Sequence, residues 1–302
     1  MGKALLRAAV SQGQSVITAN HSDLDLMDSS SVLEFFKKNK PISVILAAAK
    51  VGGIYANMSQ KRSFFSDNLA IQNSVIHGAL ETGVKKLIFL GSSCIYPKLA
   101  EQPIKEQSLL TGPLEPTNEA YALAKISGVK LCQYIREESG LDYFSLMPTN
   151  LYGPGDNFDL KNSHVPAALM RKFHEAKIAN AAEVKIWGTG LPMREFMHVH
   201  DLADAVWFTH ANPPVESMIN VGLGSEISIK SFAEKMAKVV EYKGNLVFDT
   251  SMPDGTPRKL LDSSKIFQMG WRPKISLDSG LESTYKWFVE NIESGLVRGY
   301  GK

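Results

Sequence analysis

Tyr121 and Lys125 stand four residues apart in NEAYALAK, so a helix over this segment projects both side chains from one face. A phenol has a reference pKa of about 10, and a neighbouring ammonium favours its ionised form, which makes such a pair a proton donor and acceptor near neutrality. Ser92 ends the apolar run KLIFLGSS, where it can orient the phenol and a substrate oxygen. Cys94 follows two residues later; on a continuing strand side chains alternate, and the thiol then points to the same mouth as Ser92. Taken alone these signals are weak. Many helices carry a lysine one turn after a tyrosine, and an isolated thiol is usually a small buried apolar group. His164, in NSHV, reads by itself as an ordinary loop histidine, and the histidines at 21, 77, 174, 198, 200 and 210 read as surface or packing residues.

These groups need a scaffold that brings them together. From residue 15 to about 150, the short apolar runs SVIT, SVILAAA, KLIFLGSS and YFSLMP alternate with the longer amphipathic stretches SVLEFFKKN, IQNSVIHGALETG and AYALAKISGVKLCQYIREESG. Before them, Ala4, Leu5, Ala8 and Ala9 mark one face of a helix that Gly13 ends. Strand-helix alternation of this kind predicts an α/β fold with a doubly wound parallel sheet covered on both faces. Gly83 and Gly140 signal helix ends. After Pro148 the pattern loosens into PTNLYGPGDNF and then into EVKIWG and EFMHV, so a smaller second region starts there. The expected organisation is a dinucleotide-binding domain over 1–150, with a return segment near 200–222, and a substrate domain over most of 151–302. Ligands of open parallel sheets sit beyond the carboxyl ends of the strands. Three such ends, AAAKVGG, GSSCIYP and PTNLYGPGDN, carry unusual polar or glycine content and mark one cleft.

Composition excludes several classes. The 302 residues are 44% hydrophobic and 21% charged, enough for a sizeable core. The net charge of +2, from 33 basic and 31 acidic residues, gives no electrostatic reason to expect a nucleic-acid or membrane partner. No apolar run approaches the roughly 20 residues of a membrane span and no secretion signal is evident, so a cytoplasmic location is expected. Cys94 and Cys132 form neither a disulfide framework nor a metal-ligand spacing.

The order of a serine at a strand end, YxxxK on the next helix and a strand closing on PTNLYGP resembles the extended short-chain dehydrogenase/reductase superfamily acting on nucleotide sugars. More narrowly, AAAKVGGI, FLGSSCIYPK, LEPTNEAYALAK, MPTNLYGPGDNF, WGTGLPMREF and PDGTPRKLLD, spread over residues 47–262, resemble the GDP-L-fucose synthase family. That resemblance implies a Rossmann-like fold, NADP(H) as cofactor and conversion of GDP-4-keto-6-deoxy-D-mannose to GDP-L-fucose by 3,5-epimerisation and 4-keto reduction. It implies that Tyr121 protonates the ketone oxygen and that Lys125 holds the nicotinamide ribose and depresses the tyrosine pKa. Ser92 then bonds the substrate oxygen, and Cys94 and His164 act as acid/base groups in epimerisation. Cofactor contacts carried over are Gly2, Leu90, Gly91, Ser92, Ser93, Lys125, Pro148, Thr149, Asn150, Leu151 and His164; substrate contacts are Lys172, Trp187, Arg194 and Asp254. Cations suit a diphosphate, an indole offers a flat apolar face, and a carboxylate can accept from sugar hydroxyls or a guanine edge. A homodimer packed through the helix carrying Tyr121 and the helix before it is also implied.

The chain departs from the family pattern at its beginning. Members open with a strand and a GxxGxxG turn whose backbone N–H groups meet the cofactor pyrophosphate at a helix N-terminus. Gly2 aligns with the last of those glycines, and the preceding strand is absent from the 302 residues. Because that strand is central in the doubly wound order, its neighbours are expected to lose a pairing partner. Three readings stay open: an N-terminal segment missing from the chain as written, a cofactor-poor relative or pseudoenzyme that binds GDP-sugars, or a replacement strand from elsewhere. NADP over NAD comes from the resemblance alone, since TANHSD offers His21 where an arginine would favour a 2′-phosphate. Two smaller departures are the basic stretch NMSQKRSFF and His200 in HVHDLADA. The alternatives to the two-step activity are another nucleotide-sugar epimerase or dehydratase of the superfamily, and a non-catalytic binding protein.

Overall fold

A computed structural model describes residues 1–160, 162–252 and 254–300. Its main sheet is parallel and four-stranded, in the spatial order Ser43–Leu46, Lys86–Leu90, Asp142–Pro148, Met218–Val221. The pleat sends Leu87 and Phe89 into one core with Val75, Ile76, Val129 and Tyr143, while Ile88 and Leu90 enter a second core with Leu5, Phe144, Leu202 and Ile219. Both faces are therefore buried, which is why these strands read as continuous apolar runs rather than as alternating ones.

The covering helices follow the signals in the sequence. Asp28 caps Ser29–Asn39 by accepting from the Ser30 N–H, and the Lys61–Glu81 and Glu119–Ser139 helices pack against each other on one face of the sheet. Gly140 takes φ 69° and closes the latter helix with its N–H on the Arg136 carbonyl, a conformation open to glycine without a Cβ penalty. On the other face, Gly2–Ser11 packs on Val199–Ala211, and the Trp207 indole donates to the Leu5 carbonyl at 3.0 Å. A third core, with Phe158, Phe173, Phe232, Met236 and Phe288, lies among the Val165–Ile178, Ile229–Val240 and Leu277–Asn291 helices and the parallel pair Glu183–Trp187 and Asn245–Asp249. No helix among the described residues is long and apolar enough to cross a membrane.

One expected element does not form. Ser15–Thr18 is not a strand, and residues 11–20 are exposed throughout. Ser43–Leu46 pairs with Lys86–Leu90 and with no other strand among the described residues, so the ladder stops before it reaches SVIT. Apolar β-branched residues make a strand only where a partner and a packing surface exist, and Val16 and Ile17 have neither.

His198 illustrates how the second face is held. It is 2% exposed and caps Val199–Ala211, its Nδ1 accepting from the His200 N–H at 3.3 Å while Nε2 finds no partner among the described residues. Burial first, and the neighbouring His200 second, push its pKa down to about 4. Above the unfolded value of about 6.5 both states are neutral; below it the unfolded chain takes a proton that the folded chain refuses. Folding stability is expected to fall between about pH 6.5 and 4, with His198 accounting for up to about 3 kcal/mol. Denaturant titrations across this window should show a smaller fall in His198→Gln than in the parent chain.

Candidate active site

The Glu119–Ser139 helix lies close against Lys86–Leu90 because Gly128 faces the Phe89 ring, where a Cβ would come within 2.6 Å of Cζ. That approach carries Lys125 into the interior at 3% exposure. Its Nζ donates to the Leu90 carbonyl at 2.8 Å and lies 4.5 Å from the Phe89 ring centroid and 5.9 Å from that of Tyr121. Burial pushes the Lys125 pKa down to about 7. Tyr121 is shifted the other way: burial raises it, Cys94 adds to the rise, and a hydrogen bond with Ser92 opposes it. The expected depression of the phenol by Lys125 is thus absent in this state, since the ammonium is turned to a backbone carbonyl.

Cys94 does reach the same mouth as Ser92, though by a different route from strand alternation. Residues Ser93–Ile95 make a single 3-10 turn, capped by Ser92, whose Oγ accepts from the Cys94 N–H at 3.2 Å. The Sγ is met by Asn118 Nδ2 at 3.3 Å and by Lys259 Nζ at 3.5 Å. Asn118 is the residue before the Tyr121 helix, so thiol and phenol share one wall. A shallow depression open to solvent lies beside the thiol, lined by Tyr96, Lys98, Gln102, Glu115 and Lys259 among others. His164 precedes the Val165–Ile178 helix, and its loop is seated on the VGG segment: Gly53 N–H donates to the Asn162 carbonyl at 2.9 Å, and a Cβ at Gly53 would strike the Ser163 carbonyl. Burial lowers the His164 pKa; the nearby Asp156 raises it and Lys259 lowers it, which sets the imidazole within the field of both.

Lys259 escaped sequence reasoning, as did Asn118. The only signal was position: Lys259 sits in the TPRKLLD block, and nothing local announces that Arg258–Lys259 pairs in parallel with Met193–Arg194 and sets Lys259 beside Arg194. Arg194 in turn feels Asp254, whose carboxylate accepts from Thr189 N–H at 2.9 Å and Thr189 Oγ1 at 2.7 Å. Gly188, at φ 80°, leaves room for that carboxylate. Lys172 Nζ donates to the Lys185 carbonyl at 3.2 Å and lies 5.6 Å from the ring centroid of Trp187. Trp187 is 54% exposed, an open indole face rather than a core side chain.

The cofactor candidates divide in two. Pro148–Leu151 continues the Asp142–Pro148 strand, with Thr149 N–H on the Val221 carbonyl and both Thr149 Oγ1 and Asn150 Nδ2 on the Glu195 carbonyl. Gly91 has no Cβ where one would collide with Met147, so Leu90–Ser93 passes closely over that strand. These backbones, with Tyr121 and Lys125, fit the nicotinamide end of a dinucleotide. At the other end Gly2 opens the Gly2–Ser11 helix, is exposed, and has no side-chain cap before it. Its helix N-terminus suits a pyrophosphate.

Residues 1–222 match the model of the NAD dependent epimerase/dehydratase family. The chain is 58% identical over 296 residues to the probable GDP-L-fucose synthase 1 of Oryza sativa subsp. japonica, spanning 97% of this chain and 90% of that relative. It is 51% identical over 302 residues to the GDP-L-fucose synthase of Escherichia coli (strain K12), with 96% and 94% covered. A solved GDP-L-fucose synthetase from Naegleria fowleri bound to NADP superposes with a TM-score of 0.88 at 32% identity, covering 97% of this chain and 90% of that one.

The low pKa of Lys125 has a measurable consequence. Below about pH 7 the ammonium is charged in both folded and unfolded states; above it the folded chain loses a proton that the unfolded chain keeps until about 10.5. Stability is therefore expected to rise between about pH 7 and 10, by at most about 5 kcal/mol from this group. Lys125→Met should remove that rise in chemical denaturation measured across the same range.

Proposed function

The chain belongs to the NAD dependent epimerase/dehydratase family, and within it to the GDP-L-fucose synthases, and from that premise we propose that it converts GDP-4-keto-6-deoxy-D-mannose to GDP-L-fucose by 3,5-epimerisation followed by NADPH-dependent reduction of the 4-keto group. The observation that carries the proposal is the shared wall of the cleft, where the Cys94 thiol and the Tyr121 helix meet through Asn118. Epimerisation requires a proton to leave a carbon alpha to the ketone and another to return on the opposite face. Cys94 and His164 are the acid/base groups for this step, one entering from the Ser93–Ile95 turn and the other from the loop before Val165.

NADPH, when bound, supplies the hydride for the ketone carbon. Ser92 hydrogen-bonds the ketone oxygen and Tyr121 gives it the proton. Lys125 is within reach of both the strand end and the phenol ring, and exchanging its Leu90 partner for the nicotinamide ribose lets its charge act on Tyr121. Leu90–Ser93 and Pro148–Leu151 line the nicotinamide side, and Gly2 meets the pyrophosphate. Lys172 and Arg194 bind the GDP diphosphate, Trp187 offers its exposed face, and Asp254 accepts from the sugar or guanine. A single-step epimerase of the same superfamily is not favoured, because it has no use for a thiol and an imidazole in addition to the Ser92, Tyr121 and Lys125 set. The finer parts of the proposal are a cytosolic location and a homodimer packed through Lys61–Glu81 and Glu119–Ser139. Phe65 on the first helix and Leu123 and Tyr134 on the second are exposed large apolar side chains that support such packing.

Replacing Tyr121 by phenylalanine should lower reduction by at least about 100-fold, the usual worth of a positioned general acid, while solvent deuterium still enters the sugar. Cys94→Ser should suppress that exchange. Mass spectrometry of the nucleotide sugar in heavy water separates the two steps, and equal loss of both in each variant would contradict the division of labour.

A further inference from the structure

Glu195 is completely buried, and no role described above falls on its side chain. Its Oε1 accepts from the N–H groups of Leu223 at 2.5 Å and Gly224 at 2.9 Å, and its Oε2 from the N–H of Leu261 at 3.2 Å. These donors flank a small three-stranded sheet in which Met193–Arg194 is central, with Arg258–Lys259 parallel on one side and Ile227–Ser228 antiparallel on the other. Glu195 directly follows Arg194, Leu261 lies just beyond Lys259, and Gly224 lies just before Ile227. One carboxylate therefore closes both flanks of the sheet. Gly222 carries no Cβ, which leaves the carboxylate room; a side chain there would run into Oε1. Burying a carboxylate is costly: burial pushes the Glu195 pKa up, and the N–H groups of Gly224, Leu261 and Leu223 together with the Thr149 side chain pull it back only in part.

We propose that Glu195 is a positioning residue for the Cys94 thiol: by anchoring the Leu261 N–H it fixes the Arg258–Lys259 strand, and through it the Lys259 ammonium 3.5 Å from Cys94 Sγ. Its catalytic meaning rests on the reading of Cys94 as an acid/base group. The other groups facing the thiol are Ser92 and Asn118, Tyr121 from the long helix and Arg194 from the paired strand, with Lys98 and Glu115 across the depression. Among the described residues Lys259 is the cation that hydrogen-bonds the sulfur, so its displacement is what the thiol senses. Thr149 and Asn150 bond the backbone carbonyl of Glu195, and the Thr149 side chain also bonds its carboxyl.

Glu195→Gln keeps the volume but sets an amide NH₂ against N–H donors. The test follows the rate of carboxamidomethylation of Cys94 by iodoacetamide against pH on the full chain, read by mass spectrometry of the Cys94 peptide. Glu195→Gln is expected to slow the reaction at pH 7 roughly tenfold and to move the profile to higher pH. Lys259→Gln should shift the profile in the same direction, and the double variant should go no further than Lys259→Gln alone. Glu195→Asp, which keeps the charge and shortens the reach, should shift it less. A Glu195→Gln profile that superposes on the parent overturns the proposal, and so does a double variant whose shift is the sum of the two singles. Should Glu195→Gln not fold, parent-like profiles for Glu195→Asp or Lys259→Gln overturn it equally. Alkylation reads no turnover, so these outcomes are distinct from a Cys94→Ser chain that still exchanges deuterium, which overturns the functional reading instead.

Discussion

The hydrogen bond from Lys125 Nζ to the Leu90 carbonyl joins the Glu119–Ser139 helix to the last residue of Lys86–Leu90, and the layout of the cleft follows from that join. An ammonium at 3% exposure is tolerated because a carbonyl and the face of Phe89 replace water, and because its pKa falls far enough for the charge to be shed. Gly128 permits the close approach, and Gln72, reaching from Lys61–Glu81 past Gly128 to the Ala124 carbonyl, ties the helix in place. With helix and strand end fixed, Tyr121 stands one turn before Lys125 and Asn118 just before the helix. Ser92 and Cys94 leave the strand in a single tight turn. A rigid helix and a fully paired strand hold the phenol, the hydroxyl and the thiol more firmly than a loop would.

The second half of the cleft is built on a far smaller piece of secondary structure. Three two-residue strands, Ile227–Ser228, Met193–Arg194 and Arg258–Lys259, could not stand alone in water. They persist because Glu195 satisfies the N–H groups at their flanks from within, and because Phe196 continues the central strand into the third core beside Phe232. The parallel register of Lys259 with Arg194 carries one cation toward the thiol and keeps the other near Asp254. The two walls meet at Cys94, the sulfur touching Asn118 on one side and Lys259 on the other.

What the sequence made legible follows the length of the element that carries each residue. The Tyr121–Lys125 pair was readable because a 21-residue helix imposes its own spacing. The apolar runs KLIFLGSS and YFSLMP were readable because strands buried on both faces need no alternation. Cys94 was placed at the correct mouth for an incorrect local reason, since no periodicity distinguishes a strand from the 3-10 turn that Ser92 caps. Lys259, Asn118 and Glu195 act through contacts between segments far apart in the chain, and a two-residue strand leaves no periodic trace. SVIT failed in the opposite sense: its composition is that of a strand, but strand formation needs a neighbour. His198 reads from the sequence only as a surface or packing residue, since the helix cap it provides depends on a backbone N–H that composition does not reveal.

The unpaired edge of Ser43–Leu46 bears unequally on the parts of the site. Ser92, Cys94, Tyr121 and Lys125 depend on Lys86–Leu90, which is paired on both sides, and Pro148–Leu151 depends on Asp142–Pro148, also paired on both sides. Their positions are fixed by interior ladders and by cores that close without the edge. Lys172, Trp187, Arg194 and Asp254 belong to elements packed around the third core and the small sheet, further still from that edge. Gly2 is exposed, at the start of a helix anchored by Leu5, Ala9 and the Trp207 indole. The acid/base groups and sugar contacts can therefore be well ordered whether or not the pyrophosphate is held tightly, because different strands determine the two.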